Sequence, residues 1–132
     1  MNTKELVLEF VRRINARDVD GLCSLMSEDH RFIDALGAIV QGREALRQAW
    51  TGYFQLVPDY QISLEEIFER DHVIAAFGTA GGTYAPDGKL LPENRWRVPA
   101  AWRAERKDGL LTEWRVYADN EPIRQLMAKA NE

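Results

Sequence analysis

Leu6, Val7, Phe10, Val11 and Ile14 fall on one helical stripe, and they predict an amphipathic helix over about Thr3 to Ala16. Asp18 suits the N-cap of a second, shorter helix whose inner residues are Val19, Leu22, Cys23 and Met26. The polar Ser-Glu-Asp-His segment at 27–30 ends that helix, and Arg31 to Leu36 reads as a strand before Gly37. Gly42 opens a third helix with Leu46, Ala49, Trp50, Tyr53 and Val57 on one face, and Pro58 with Asp59 stops it.

Beyond this point the period changes from that of a helix to that of a strand. Residues 60–68 alternate, 69–72 form a turn, and 73–84 make a strand of small residues that runs into a Pro/Gly-rich loop at 85–94. The next strand puts Trp96, Val98, Ala100, Trp102 and Ala104 on one face, with Arg95, Arg97, Arg103 and Glu105 on the other. After a Lys-Asp-Gly turn, Leu110, Thr112, Trp114, Val116 and Ala118 share a face, and a short helix near 122–130 closes the chain. Helices first and strands afterwards is an α+β pattern: a cone-like, curved, mainly antiparallel sheet packed on the N-terminal helices. A twisted sheet covered on one side encloses a natural ligand cavity. No repeat or linker interrupts residues 1–132, so a single domain is expected.

Composition narrows the function classes. The formal net charge is -4 and no Lys/Arg cluster occurs, which counts against a nucleic-acid partner. No apolar run is long enough for a membrane span and the N-terminus is charged throughout, so a cytoplasmic protein without membrane attachment is expected. Cys23 is the only cysteine and reads as a packing residue. His30 and His72 lie far apart without metal-ligand spacing, and phosphate-binding glycine loops are missing, so neither metal nor cofactor is expected. His72 falls in a turn and reads as solvent-exposed.

The remaining candidates are one carboxylate and a set of aromatic rings. If Asp34 points inward, alternation puts Phe32 and His30 on the same face. Four residues of strand span about 13 Å, too far for a direct His30–Asp34 hydrogen bond. Desolvation among Trp50, Trp102 and Trp114 would make Asp34 a better base; the plain alternative is a carboxylate bonded to backbone at a strand end. Trp50, Trp96, Trp102 and Trp114 fit either a core or an aromatic cavity wall, with their indole N–H groups, Tyr53 and Asn120 as candidate donors to an oxygenated ligand.

The segments at 9–37, 42–54 and 102–119 resemble the SnoaL-like and ketosteroid-isomerase-like proteins of the nuclear-transport-factor-2-like superfamily. The resemblance covers nearly the whole chain and implies that fold, which hosts isomerases, cyclases, hydrolases, dehydratases and binding modules. By it, Asp34 takes the place of the isomerases' general base, while Phe10 and Ala100 stand where their oxyanion donors would be. Ketosteroid isomerisation is therefore not expected. The segment 108–119 also resembles the limonene-type epoxide hydrolases, but Val116 replaces a catalytic carboxylate, so that activity is not expected either. Both comparisons turn Trp114 and Val116 toward the pocket. The fold's habit of pairing through the outer sheet face implies a homodimer, with the Arg95/Arg97/Arg103 row on that side.

The expected function is binding of a small apolar oxygenated molecule. Asp34 and His30 are the candidate catalytic groups, and Phe10, Phe32, Trp50, Tyr53, Trp96, Trp102, Trp114, Val116 and Asn120 the candidate ligand contacts. Isomerisation, cyclisation and dehydration all fit; a non-catalytic carrier or an assembly module is the alternative.

Overall fold

The computed structural model describes residues 1–131. Helix α1 (Thr3–Asn15) starts in a capping box: the Asn2 side chain accepts from Glu5 N at 2.8 Å and Glu5 reaches back to Asn2 N at 3.2 Å. Its stripe of Leu6, Val7, Phe10, Val11 and Ile14 is buried as the spacing requires. The far end is tied to the sheet by Asn15, whose amide donates to Ile62 O and accepts from Ile62 N at 2.9 and 2.8 Å. Helix α2 (Val19–Ser24) begins at the Asp18 N-cap, which accepts from Gly21 N at 2.9 Å.

Here the structure corrects the sequence reading. Helix α2 stops at Ser24, and Met26 together with the polar residues 27–30 belongs to strand β1 (Met26–Ile33), not to the helix. Pairing with the last strand overrides the local helical spacing: Leu111 N donates to Leu25 O at 2.9 Å, and Arg43 Nη2 bonds Met26 O at 2.7 Å. Met26 still enters the core, but from the sheet.

Strand β2 (Ile39–Gln41) folds back on β1, and α3 (Arg43–Leu56) follows, entered through Gly42 at φ 104°. The remaining strands are β3 (Gln61–Arg70), β4 (Val73–Thr83), β5 (Arg95–Lys107) and β6 (Leu110–Ala118), and α4 (Glu121–Ala130) ends the chain. A single 3-10 turn at Pro92–Asn94 lies in the loop before β5. One six-stranded sheet results, in the order β2-β1-β6-β5-β4-β3, with β1 and β6 parallel and every other pair antiparallel.

Register shifts bend this sheet. One lies in β3 between Leu64 and Glu66, and another in the β5–β6 pair, where Glu105 faces Glu113 but Arg106 faces Leu111. The second breaks the simple alternation of β6. Leu111, not Leu110, joins Trp114 in the core, and Thr112 is the extra residue, its hydroxyl donating to Glu105 O at 3.2 Å. Gly78 permits close approach at the other bend, because a Cβ there would overlap the Ser63 carbonyl oxygen. The helices cover only the concave face. On it, the indole rings of Trp102 and Trp114 stack at 6.3 Å, and Phe10 of α1 lies 4.8 Å from Trp114.

Candidate functional site

The concave face and α3 enclose a cavity of about 300 Å³ lined by Phe32, Asp34 and Val40 from the β1–β2 region, and by Leu46, Trp50 and Tyr53 from α3. Tyr60, Ala80, Trp96, Ala100, Trp114 and Val116 complete its sides, with Ala35, Ala49, Ala118 and Asn120 also on the wall. The mouth lies where the lining is exposed or half-buried: Ala49 of α3, Asp34 and Ala35 of the β1–β2 turn, and Ala118 with Asn120 at the end of β6. Buried Leu46, Trp96, Ala100 and Trp114 make the interior. Space comes from alanine side chains on three neighbouring strands, Ala80, Ala100 and Ala118, and not from the glycines of β4; a Cβ on Gly82 would press on Val57 and Asp59.

Asp34 holds two roles at once. Its Oδ1 accepts from Leu36 N and Ala38 N at 2.9 and 3.0 Å, and its own N–H donates to Ala38 O at 3.0 Å, closing the turn that Gly37 completes at φ 86°. Its Oδ2 accepts no hydrogen bond among the described residues. The turn therefore fixes the carboxylate on the cavity wall and leaves one oxygen free.

His30 is elsewhere. Alternation puts it on the face of Asp34 and Phe32 as a candidate catalytic group, yet it is fully buried in the core and does not line the cavity. Its Nδ1 pairs with Leu111 O at 2.7 Å, which makes Nδ1 the protonated nitrogen, and its ring packs 6.0 Å from Phe10. Desolvation holds the imidazole below its ordinary value, against the weaker upward pull of the Leu111 carbonyl, Glu113 and Asp29. Nε2 is left without a partner. No bond joins His30 to Asp34, as the strand spacing requires.

Of the other sequence candidates, Phe32, Trp50, Tyr53, Trp96, Trp114, Val116 and Asn120 stand on the wall, whereas Phe10 and Trp102 are packed behind it. The indole nitrogens differ from expectation: Nε1 of Trp50, Trp96, Trp102 and Trp114 is buried without a hydrogen-bond partner in each case. They are sealed inside the protein, so the tryptophans offer the cavity ring carbon and not N–H donors. Donors come instead from Tyr53 and Tyr60, which pack edge to face at 5.1 Å and whose hydroxyls bond no described residue. Burial pushes both phenols well above their ordinary value, with Tyr60 adding to the effect on Tyr53. They stay protonated and able to donate. Asn120 is the N-cap position of α4 but makes no capping bond, so its amide is also free.

Tyr60 is the residue the sequence reading missed. It directly follows the Pro58-Asp59 helix stop and reads as the first residue of an alternating strand; the turn after α3, in which Tyr60 N donates to Val57 O at 3.2 Å, brings it beside Tyr53, and Trp96 of β5 packs 6.2 Å from its ring. Cys23, by contrast, is buried as read, and burial pushes its thiol up. His72 is exposed in the β3–β4 turn.

The sequence profile of the SnoaL-like domain matches residues 7–114. The chain belongs to the SnoaL-like family. Among curated proteins none matches it by sequence. Solved structures show the same fold at low identity. An NTF2-like protein of unknown function from Cytophaga hutchinsonii is similar at TM-score 0.73 and 16% identity, covering 94% of this chain and 96% of that one. A protein proposed to be a SnoaL-like polyketide cyclase from Shewanella denitrificans gives TM-score 0.81 and 14% identity, with 96% and 97% covered. A protein with a ketosteroid isomerase-like fold from Catenulispora acidiphila, in complex with trimethylamine, gives TM-score 0.78 and 17% identity, with 90% and 88% covered. The α+β architecture of this SnoaL-like chain is thus nuclear-transport-factor-2-like.

Proposed function

We propose that this SnoaL-like chain binds a small apolar oxygenated molecule in the cavity and acts on it by acid/base chemistry at Asp34, without a cofactor. The free Oδ2 of Asp34, fixed on an aromatic wall by the backbone bonds to Oδ1, carries this reading. In the proposed reaction Oδ2 takes a proton from the substrate and returns it at another atom, while Tyr53, Tyr60 or Asn120 donates to the oxygen on which charge develops. That sequence serves a cyclisation, an isomerisation or a dehydration. Cyclisation of a polyketide-type substrate is the variant suggested by the proposed cyclase among the structural neighbours.

Ketosteroid isomerisation is disfavoured by the same geometry. Phe10 lies behind the wall and Ala100 on it, and neither carries a donor. Asp34→Asn keeps the turn-forming Oδ1 but removes the base, so turnover of any substrate found by screening oxygenated ring compounds should fall by about 10²- to 10⁴-fold. Full turnover by that variant would refute the chemistry and leave the second reading, a binding module in which Asp34 only orients the ligand.

We also propose that two copies pair through the convex face of the sheet. Phe68 and Phe77 meet edge to face there at 6.0 Å while remaining 57% and 45% exposed, and Tyr117 is 49% exposed with the Arg115 guanidinium 5.0 Å above its ring.

A further inference from the structure

The cavity is unusual in its charge. Among the described residues its lining carries the Asp34 carboxylate and no Arg, Lys or His. An anionic ligand would meet that carboxylate with nothing to offset it, and desolvating like charges together is costly.

The rest of the wall suits the opposite sign. Ring centroids follow one another at 5.7 Å from Phe32 to Trp50, 6.4 Å to Tyr53, 5.1 Å to Tyr60 and 6.2 Å to Trp96. The first three neighbours are nearly perpendicular, at 82°, 89° and 88°, so successive rings of the belt lie in different planes along the wall. Aromatic faces are the negative side of the ring quadrupole and attract a cation within about 6 Å, tryptophan most strongly and more so when water is excluded. The polar N–H edges of Trp50, Trp96 and Trp114, which would repel a cation, are buried away in the protein. Aromatic faces and a lone carboxylate together form the lining an organic cation needs: the rings replace its hydration shell, and Asp34 Oδ2 supplies the counter-charge.

We infer that the cavity takes an organic cation, an alkylated or protonated ammonium group on a compact apolar body, held between the ring faces and Asp34. The inference rests on reading the cavity as a small-molecule site, and it holds for a catalytic and a merely binding chain alike.

Three probes of similar shape test it by calorimetric titration of the purified chain: benzyltrimethylammonium, the neutral 2-methyl-1-phenyl-2-propanol and the anion 3-phenylpropanoate. The cation should bind at least about tenfold more tightly than the alcohol, and the anion should not bind. Asp34→Asn should weaken the cation about tenfold and leave the alcohol within about twofold, and Ala118→Lys, which places a positive charge on the wall, should abolish cation binding. Far-UV circular dichroism and thermal melting establish that both variants are folded. An alcohol that binds as tightly as the cation, with Asp34→Asn indifferent to both, would overturn the assignment of charge and leave the small-molecule site standing. No saturable binding of any probe by the folded chain would overturn both.

Discussion

Tyr60 and His30 make the sharpest residue-level predictions. Tyr60 is 8% exposed and lines the cavity; its hydroxyl bonds no described residue and is not among the fully buried unpartnered atoms, so it reaches the cavity space. Tyr60→Phe should therefore leave the stability of the free chain within about 1 kcal/mol in urea denaturation, while weakening ligands that use the hydroxyl. A larger loss of stability would mean that the hydroxyl is bonded within the protein. His30 predicts a pH dependence. Its folded-state value lies below the ordinary 6.5, so the unfolded chain binds the proton more readily, and stability is complete above about pH 6.5 and falls as pH drops from there through the lower folded value. Glu113 has the same sign in a more acidic window: burial opposes its ionisation, but Arg31 and Arg103 at 2.8 and 2.5 Å outweigh this and hold the carboxyl below 4.5. In His30→Asn the loss between the His window and the Glu113 window should vanish; an unchanged profile would show that His30 titrates freely when folded.

At the scale of elements, helix faces and turns were legible in the sequence, and the failures have one cause. Leu6 to Ile14 read correctly because a surface helix needs only its own spacing, and the tight turns at Asp71 and at Asp108-Gly109 read correctly because they need residues that tolerate positive φ, here 58°, 54° and 80°. Spacing alone puts Met26 in the wrong element and Leu111 on the wrong face, because the pairing between β1 and β6 and the bulge at Thr112 are contacts between distant parts of the chain. The candidate site divides the same way. Asp34, Phe32, Trp50 and Tyr53 were legible from periodicity and resemblance, whereas the buried indole nitrogens, the retreat of His30 and the packing of Tyr60 against Trp96 depend on contacts between distant parts of the chain. The curvature of the sheet is itself testable. Gly78→Ala would drive a methyl into the Ser63 carbonyl, so β3 and β4 must separate, and a loss of about 2 kcal/mol or more is expected in denaturant unfolding. A loss under about 0.5 kcal/mol would mean that the two strands are not in close contact there.

At the scale of the molecule, the sheet has two faces, and a different role is proposed for each. The convex side presents Phe68, Phe77 and Tyr117 beside the Arg31–Glu113–Arg103 network, and Phe77→Glu should turn the proposed dimer into a monomer in light scattering; a wild-type chain that is already monomeric would refute the pairing. The concave side holds the cavity, and among the described residues no helix is long and apolar enough to cross a membrane. The central claim is that this cavity beside Asp34 is where a small molecule binds. Ala100 stands on its wall at 8% exposed, so Ala100→Leu fills volume from within at an overpacking cost of about 1 to 3 kcal/mol without touching Asp34. The direct test is a titration with 2-naphthol, a compact aromatic alcohol, followed by quenching of tryptophan fluorescence. The account predicts saturable quenching in the wild type that is lost in folded Ala100→Leu; equal binding by both proteins would contradict it.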